Sequence, residues 1–133
     1  MLNYPPKVLM AFGETFSEED GEFAKWLLSS EYPELGVLSG GLKGSDEAVN
    51  WLIKNNFKHL AAFDNAVCGS EQAYKWLIEN EYDIYVVITD AINNNSDALI
   101  WLKNNKMEIF IHLSRKIRQF RENQTFDYHK LSF

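Results

Sequence analysis

The sequence predicts an all-α protein of stacked short helical hairpins, with about nine short helices. Three observations predict it. All four tryptophans, Trp26, Trp51, Trp76 and Trp101, fall 25 residues apart, and each is followed by leucine (Leu27, Leu52, Leu77, Leu102). Six residues before each tryptophan stands a favoured helix N-cap: Asp20, Ser45, Ser70 or Asn95. In the second half of each unit, apolar residues recur at offsets of 3 and 4, the helical period.

The first helix of each unit is bounded by its own chemistry. The N-cap oxygens can accept the unpaired amide hydrogens of the first turn. Glu22, Glu47 and Asp97, with Gln72 in the remaining copy, lie where the positive end of a helix dipole favours negative charge. Ser30, Asn55, Asn80 and Asn105 follow the tryptophan by four residues, and asparagine tolerates the left-handed conformation that ends many helices. Phe23, Ala48, Ala73 and Ala98 join the tryptophans and leucines at i, i+3 and i+4, one helical stripe. A stripe this regular is expected to be a buried seam between hairpins. On that expectation, Trp51→Ala and Trp76→Ala would each cost about 3–5 kcal/mol.

The second half of each unit admits two readings. Taken alone, "YDIYVVITDA" from Tyr82 and "MEIFIHL" from Met107 are rich in β-branched and aromatic residues, and strands there would make an α/β repeat with a parallel sheet. The four copies together favour helix. Positions apolar in every copy are Leu35/Leu60/Tyr85/Phe110, Leu38/Phe63/Ile88/Leu113 and Leu42/Val67/Ile92/Ile117. Gly44 and Gly69 suit a helix stop just before the next cap.

The N-terminal "YPPKVLMAF" reads as a second helix without its partner, like "YPELGVLSG" from Tyr32. The expected organisation is a single helical-repeat domain, 1–133. It comprises a half-repeat at 4–13, repeats at about 20–44, 45–69, 70–94 and 95–120, and a tail at 121–133. One hairpin of this size cannot bury its own stripe, so stacking supplies the core. In this organisation the chain resembles an α-solenoid of the broad class that includes HEAT and tetratricopeptide proteins. The resemblance is to architecture alone, since the period is shorter and their signature residues are absent. It carries over no functional residue.

Composition narrows the function. Residues 1–90 carry 6 Lys/Arg against 15 Asp/Glu (−9), and residues 91–133 carry 7 against 4 (+3). An acidic body repels phosphates, which argues against nucleic acid as the partner. A single cysteine, Cys68, excludes an intrachain disulfide and fits a reducing compartment. The N-terminal stretch lacks the basic start and long apolar run of a signal peptide, and no window is apolar enough for a membrane span. A cytoplasmic protein is the expectation.

The residues that most often carry chemistry do not converge in the sequence. His59 and Cys68, nine residues apart on one expected helix, are about 13 Å apart along its axis, too far for a nucleophile–base pair. His112 stands in a column otherwise held by Val37, Ala62 and Val87, and His129 lies in the tail; structural roles are expected for all three histidines. Neither HExxH nor paired cysteines occur, so no metal site is expected. "SGGLKGSD", Ser39 to Asp46, lacks the Walker order, and its Gly44-Ser45 recurs as Gly69-Ser70. No catalytic residue and no cofactor are assigned.

Two features suggest binding. The polar column Ser39/Asp64/Thr89/Ser114, beside Gly40/Asn65/Asp90/Arg115, would align on stacked second helices into an extended ribbon, the kind of face solenoids use. The basic "HLSRKIRQFRENQ" sets an apolar stripe of Leu113, Ile117 and Phe120 beside Arg115, Arg118 and Arg121; it reads as a terminal cap or an element for an acidic partner. The expected contact residues are Asp64, Asn65, Thr89, Asp90, Arg115 and Arg118. The expected function is a protein-interaction or scaffold module with an acidic binding face. Self-association through open solenoid ends is a further expectation. The alternatives are an inhibitor or immunity-type protein that neutralises a basic partner, and a small enzyme with an inter-helix pocket.

Overall fold

The computed structural model describes the backbone of residues 1–131 and the side chains of residues 1–124. Among the described residues there are nine helices and no strand: α1 (Pro6–Glu14), α2 (Glu22–Leu28), α3 (Pro33–Leu42), α4 (Asp46–Lys54), α5 (Lys58–Val67), α6 (Glu71–Glu79), α7 (Asp83–Ile92), α8 (Ser96–Asn104) and α9 (Glu108–Leu131). The β-rich segments from Tyr82 and Met107 are helical because their apolar residues face one side only at helical spacing. α9 continues into the expected tail, 121–133, as far as Leu131; His129 lies outside the described side chains.

Helix boundaries follow the local chemistry. Ser45, Ser70 and Asn95 cap α4, α6 and α8 by accepting from the amides of Ala48, Ala73 and Ala98 at 3.2, 3.1 and 3.0 Å. The first copy differs. Gly21 occupies the cap position of α2 with φ of 75°, so the Glu18 carboxylate reaches over instead and accepts from Phe23 and Ala24 at 2.6 and 3.1 Å.

The far ends of these helices correct a detail of the sequence reading. Asn55, Asn80 and Asn105 have negative φ, and their amide groups donate to the carbonyls of Trp51, Trp76 and Trp101, each at 2.8 Å. The left-handed residue is the next one: Asn56, Glu81 or Lys106. The amides of Phe57, Tyr82 and Met107 then return to the carbonyls of Leu52, Leu77 and Leu102, which completes a Schellman motif in each hairpin.

The nine helices form two concentric layers. The odd-numbered helices lie inside, where α3 packs on α5, α5 on α7 and α7 on α9. The chain then closes on itself, because α9 also packs on α1, and α1 touches α3. Each even-numbered helix lies outside and packs only against the two inner helices that it connects. The middle of the ring is filled by Phe12, Leu38, Phe63, Ile88 and Leu113, one from each inner helix and all essentially inaccessible. Leu27, Leu52, Leu77 and Leu102 are the fully buried contribution of the outer helices.

Two expectations are overturned here. The tryptophans are not the seam: Trp26, Trp51 and Trp101 are 43, 36 and 43% exposed, and the leucines beside them fill the core alone. The solenoid ends are not open either, because the first and last helices meet. Phe16 packs edge-on against Phe120 at 5.9 Å, and Lys116 pairs with Glu14 at 3.5 Å. Five inner helices are few enough, and turn sharply enough, for the array to close.

Candidate functional site

The inner helices run in one direction, so the ring has an N-terminal mouth and a C-terminal mouth. At the N-terminal mouth, the Met1 ammonium donates to the Tyr85 hydroxyl at 2.7 Å, and burial lowers its pKa to about 6. The Tyr4 hydroxyl donates to Glu34 at 3.2 Å; burial, then the Glu34 charge, push the Tyr4 phenol up. His59 stacks on Tyr82 with centroids 5.1 Å apart, and burial followed by the nearby ammonium lowers its pKa. The protein's own side chains fill this mouth.

The C-terminal mouth collects cations where helices end. Lys43 donates to the Thr15 carbonyl and lies over the rings of Phe16 and Phe120, 5.7 and 5.8 Å from their centroids; desolvation lowers its pKa. Arg118 donates to the Ala91 carbonyl at 3.3 Å and to the Asn94 side chain at 3.1 Å. The Lys43 contact satisfies the Thr15 carbonyl past the end of α1, and the Arg118 contact adds a second donor to the Ala91 carbonyl, which already accepts from the Asn94 amide. A cavity of about 500 Å³ opens beside them, lined by Ile92, Asn93, Asn94, Arg118, Arg121 and Glu122.

Behind that cavity is the one buried carboxylate of the inner polar column. The Cys68 thiol donates to Asp64 and the Arg121 guanidinium to the Cys68 sulfur, both at a weak 3.8 Å. Burial raises the Asp64 pKa to about 6, with the thiol and Arg121 opposing the rise. Burial and the Asp64 charge together push the Cys68 thiol up as well.

The expected contact ribbon divides in two. Asp64 and Thr89 are only 2 and 1% exposed, and Ser39 and Ser114 are equally buried, so this column points into the ring and not at a partner. Buried hydroxyls are tolerated here because each donates: Thr89 to the Tyr85 carbonyl at 2.8 Å and Ser114 to that of Phe110 at 2.6 Å, both on the preceding turn, and Ser39 across to the Thr15 hydroxyl at 2.7 Å. Of the neighbouring column, Asn65 and Arg115 are exposed, and Asp90 accepts from the Tyr74 hydroxyl at 3.0 Å. Arg118 belongs to the C-terminal mouth.

What the sequence reading missed is a set of grooves on the outside of the ring. One, of about 280 Å³, runs between α5 and α6 and is lined by Ala61, Ala62, Asn65, Ala73 and Trp76, with Ile53 of α4 closing one side. The equivalent groove between α1 and α2, about 520 Å³, is lined by Met10, Ala11, Glu14, Phe23 and Trp26. A third, of about 230 Å³, lies between α8 and α9, against Leu99, Ile100, Ile111 and Arg115. The signal was present in the sequence, since Leu28, Ile53 and Ile78 recur two residues after the tryptophans, off the leucine stripe.

Fold and surface together define an all-α ring of helical hairpins with grooves on its outer face, two of them lined by tryptophan. Comparison with protein-family models, with curated proteins and with solved structures finds no match to this chain. Among the described residues, no helix is long and apolar enough to cross a membrane, and no cluster of His, Cys, Asp or Glu has the makings of a metal site.

Proposed function

We propose that the protein is an interaction module that binds other proteins through the grooves between its inner and outer helices. One observation carries the reading: large apolar side chains, Phe23, Trp26, Ile53 and Ile78 of the outer helices and Met10 of α1 among them, are 41–51% exposed on an otherwise well-buried protein. Aromatic and methionine side chains in shallow grooves are the usual anchors of protein interfaces. Acidic side chains rim the α1–α2 groove, with Glu14 and Glu22 in its walls and Glu18, Glu19 and Asp20 in the preceding turn. That rim favours a partner with basic residues around an aliphatic or aromatic anchor. Asn65 and Arg115 line grooves and are the contact residues that this reading retains.

The alternative of a small enzyme with an inter-helix pocket would use the C-terminal cavity. Its Arg118 is committed to the chain's own carbonyl and amide groups, which supports binding over catalysis.

The test is affinity capture followed by variants. Asn65→Arg and Trp26→Asp should abolish recovery of a partner, whereas Asn93→Ala at the C-terminal mouth should not. Recovery that survives both groove variants and is lost with Asn93→Ala would overturn the reading.

A further inference from the structure

The grooves are copies of one another, and two of them are incomplete. The α5–α6 groove has walls from two outer helices: Ile53 of α4 on one side, and Ala73 and Trp76 of α6 on the other. Around the ring the order of elements is α8, α9, α1, α2, and among the described residues no outer helix covers the contact between α9 and α1. The groove there is split into halves. The α1–α2 half has its following outer helix but no preceding one; the α8–α9 half has the reverse.

The two halves differ in charge. The α1–α2 side carries Glu19, Asp20 and Glu22 around Met10, Phe23 and Trp26, with Glu14 paired to Lys116, Glu18 capping α2 and Lys7 over the Trp26 ring. The α8–α9 side carries Lys103 and Arg115 around Ile100 and Ile111, while Arg118, at its edge, is held by the Ala91 carbonyl and Asn94. His112 stands in the column of Ala11 and Ala62, which line the other grooves, and its Nε2 is buried with no hydrogen-bond partner among the described residues.

We propose that the protein forms a two-fold symmetric homodimer across the α9/α1 seam. A two-fold axis through the seam exchanges the α2 side for the α8 side. Each acidic half-groove therefore meets the basic half-groove of the second copy, twice per dimer. A surface with an acidic flank on one side of the seam and a basic flank on the other is complementary to itself under that operation. A foreign partner would have to carry both charges in the matching order, so a second copy is the occupant the charges select. The inference goes beyond the reading of the grooves as partner sites, and its failure would leave that reading intact.

Sedimentation equilibrium on the full chain tests it. A monomer–dimer equilibrium is expected that weakens as salt is raised. Glu22→Lys and Arg115→Glu should each weaken dimerisation by about tenfold, and Phe23→Glu by more. The double variant Glu22→Lys/Arg115→Glu should recover most of the loss, because the reversed charges again face each other. Far-UV circular dichroism would establish that each variant is folded.

A chain that stays monomeric at about 100 μM, a concentration that detects even weak association, overturns the proposal. So does a dimer insensitive to all three substitutions, which would place the contact elsewhere. A monomer whose thermal stability falls in Phe23→Glu would assign the groove to another segment of the same chain and would equally overturn it.

Discussion

The indole of Trp51 lies parallel to the ring of Phe57, with centroids 6.1 Å apart and planes 6° from coplanar. Trp76 and Tyr82 repeat the arrangement at 5.7 Å and 13°. In each pair the tryptophan is in the last turn of an outer helix and its partner directly follows the left-handed residue of the Schellman motif. The stack is the apolar contact that accompanies such a helix end. In these two hairpins the tryptophan thus clamps the turn at the surface, while the adjacent leucine fills the core.

Trp51→Ala should accordingly cost about 1–2 kcal/mol, the value of a half-exposed aromatic contact. Leu52→Ala, at a fully buried position, should cost about 2–5 kcal/mol. Urea denaturation of the two variants checks the order, and a tryptophan cost equal to or above the leucine cost would return the indole to the core.

Asp64 makes stability depend on pH. Its folded-state pKa of about 6 lies above the ordinary carboxylate value of 3.8, so between these values the folded protein holds a proton that the unfolded chain has released. The contribution is fully present below about pH 4 and is lost as pH rises through 6. Asp64→Asn should therefore raise stability at pH 8 by roughly 1–2 kcal/mol after allowance for the Arg121 counter-charge, and flatten the profile between pH 4 and 6. Melting temperatures of both proteins across pH 4–8 provide the comparison.

Gly36 allows α2 and α3 to approach closely. A Cβ there would lie 2.9 Å from Leu28 Cγ and 3.2 Å from the Leu28 backbone nitrogen, and the backbone cannot swing aside as a side chain can. Gly36→Ala should destabilise by about 1–3 kcal/mol despite the better helix propensity of alanine. Chemical denaturation would show a gain instead if the helices have room to part.

Glu81 and Lys106 hold φ of 62° and 59°, in the left-handed region that favours glycine. Glu81→Gly and Lys106→Gly should each stabilise by up to about 1 kcal/mol, with unfolded-state entropy offsetting part of the relief. Thermal denaturation of the pair and the double variant reads this directly, since the two turns are independent and their effects should add.

Much of the fold was legible because the repeat averages out local ambiguity. "YDIYVVITDA" alone suits a strand, yet the columns through Leu38, Phe63, Ile88 and Leu113 keep helical spacing in every copy, and those side chains are the buried centre. The caps at Ser45, Ser70 and Asn95 were equally readable, being contacts within a few residues. The candidate site was not. The polar column of Asp64 and Thr89 looked exposed because polar residues usually are, whereas Thr89 and Ser114 satisfy their hydroxyls on the preceding turn and go inside. The tryptophans looked buried for the converse reason, and turn geometry holds them at the surface.

By itself the sequence determined what spacing and local hydrogen bonding dictate: helical hairpins in register, the caps at Ser45, Ser70 and Asn95 that start three of them, and a leucine in each that is buried. Only the tertiary structure decided that α9 meets α1, which turns a row of hairpins into a ring and leaves a seam that no outer helix covers among the described residues. Curvature is the reason. It accumulates from the small packing angle at every interface, so no single repeat carries it, and the surfaces left uncovered depend on where the ends arrive.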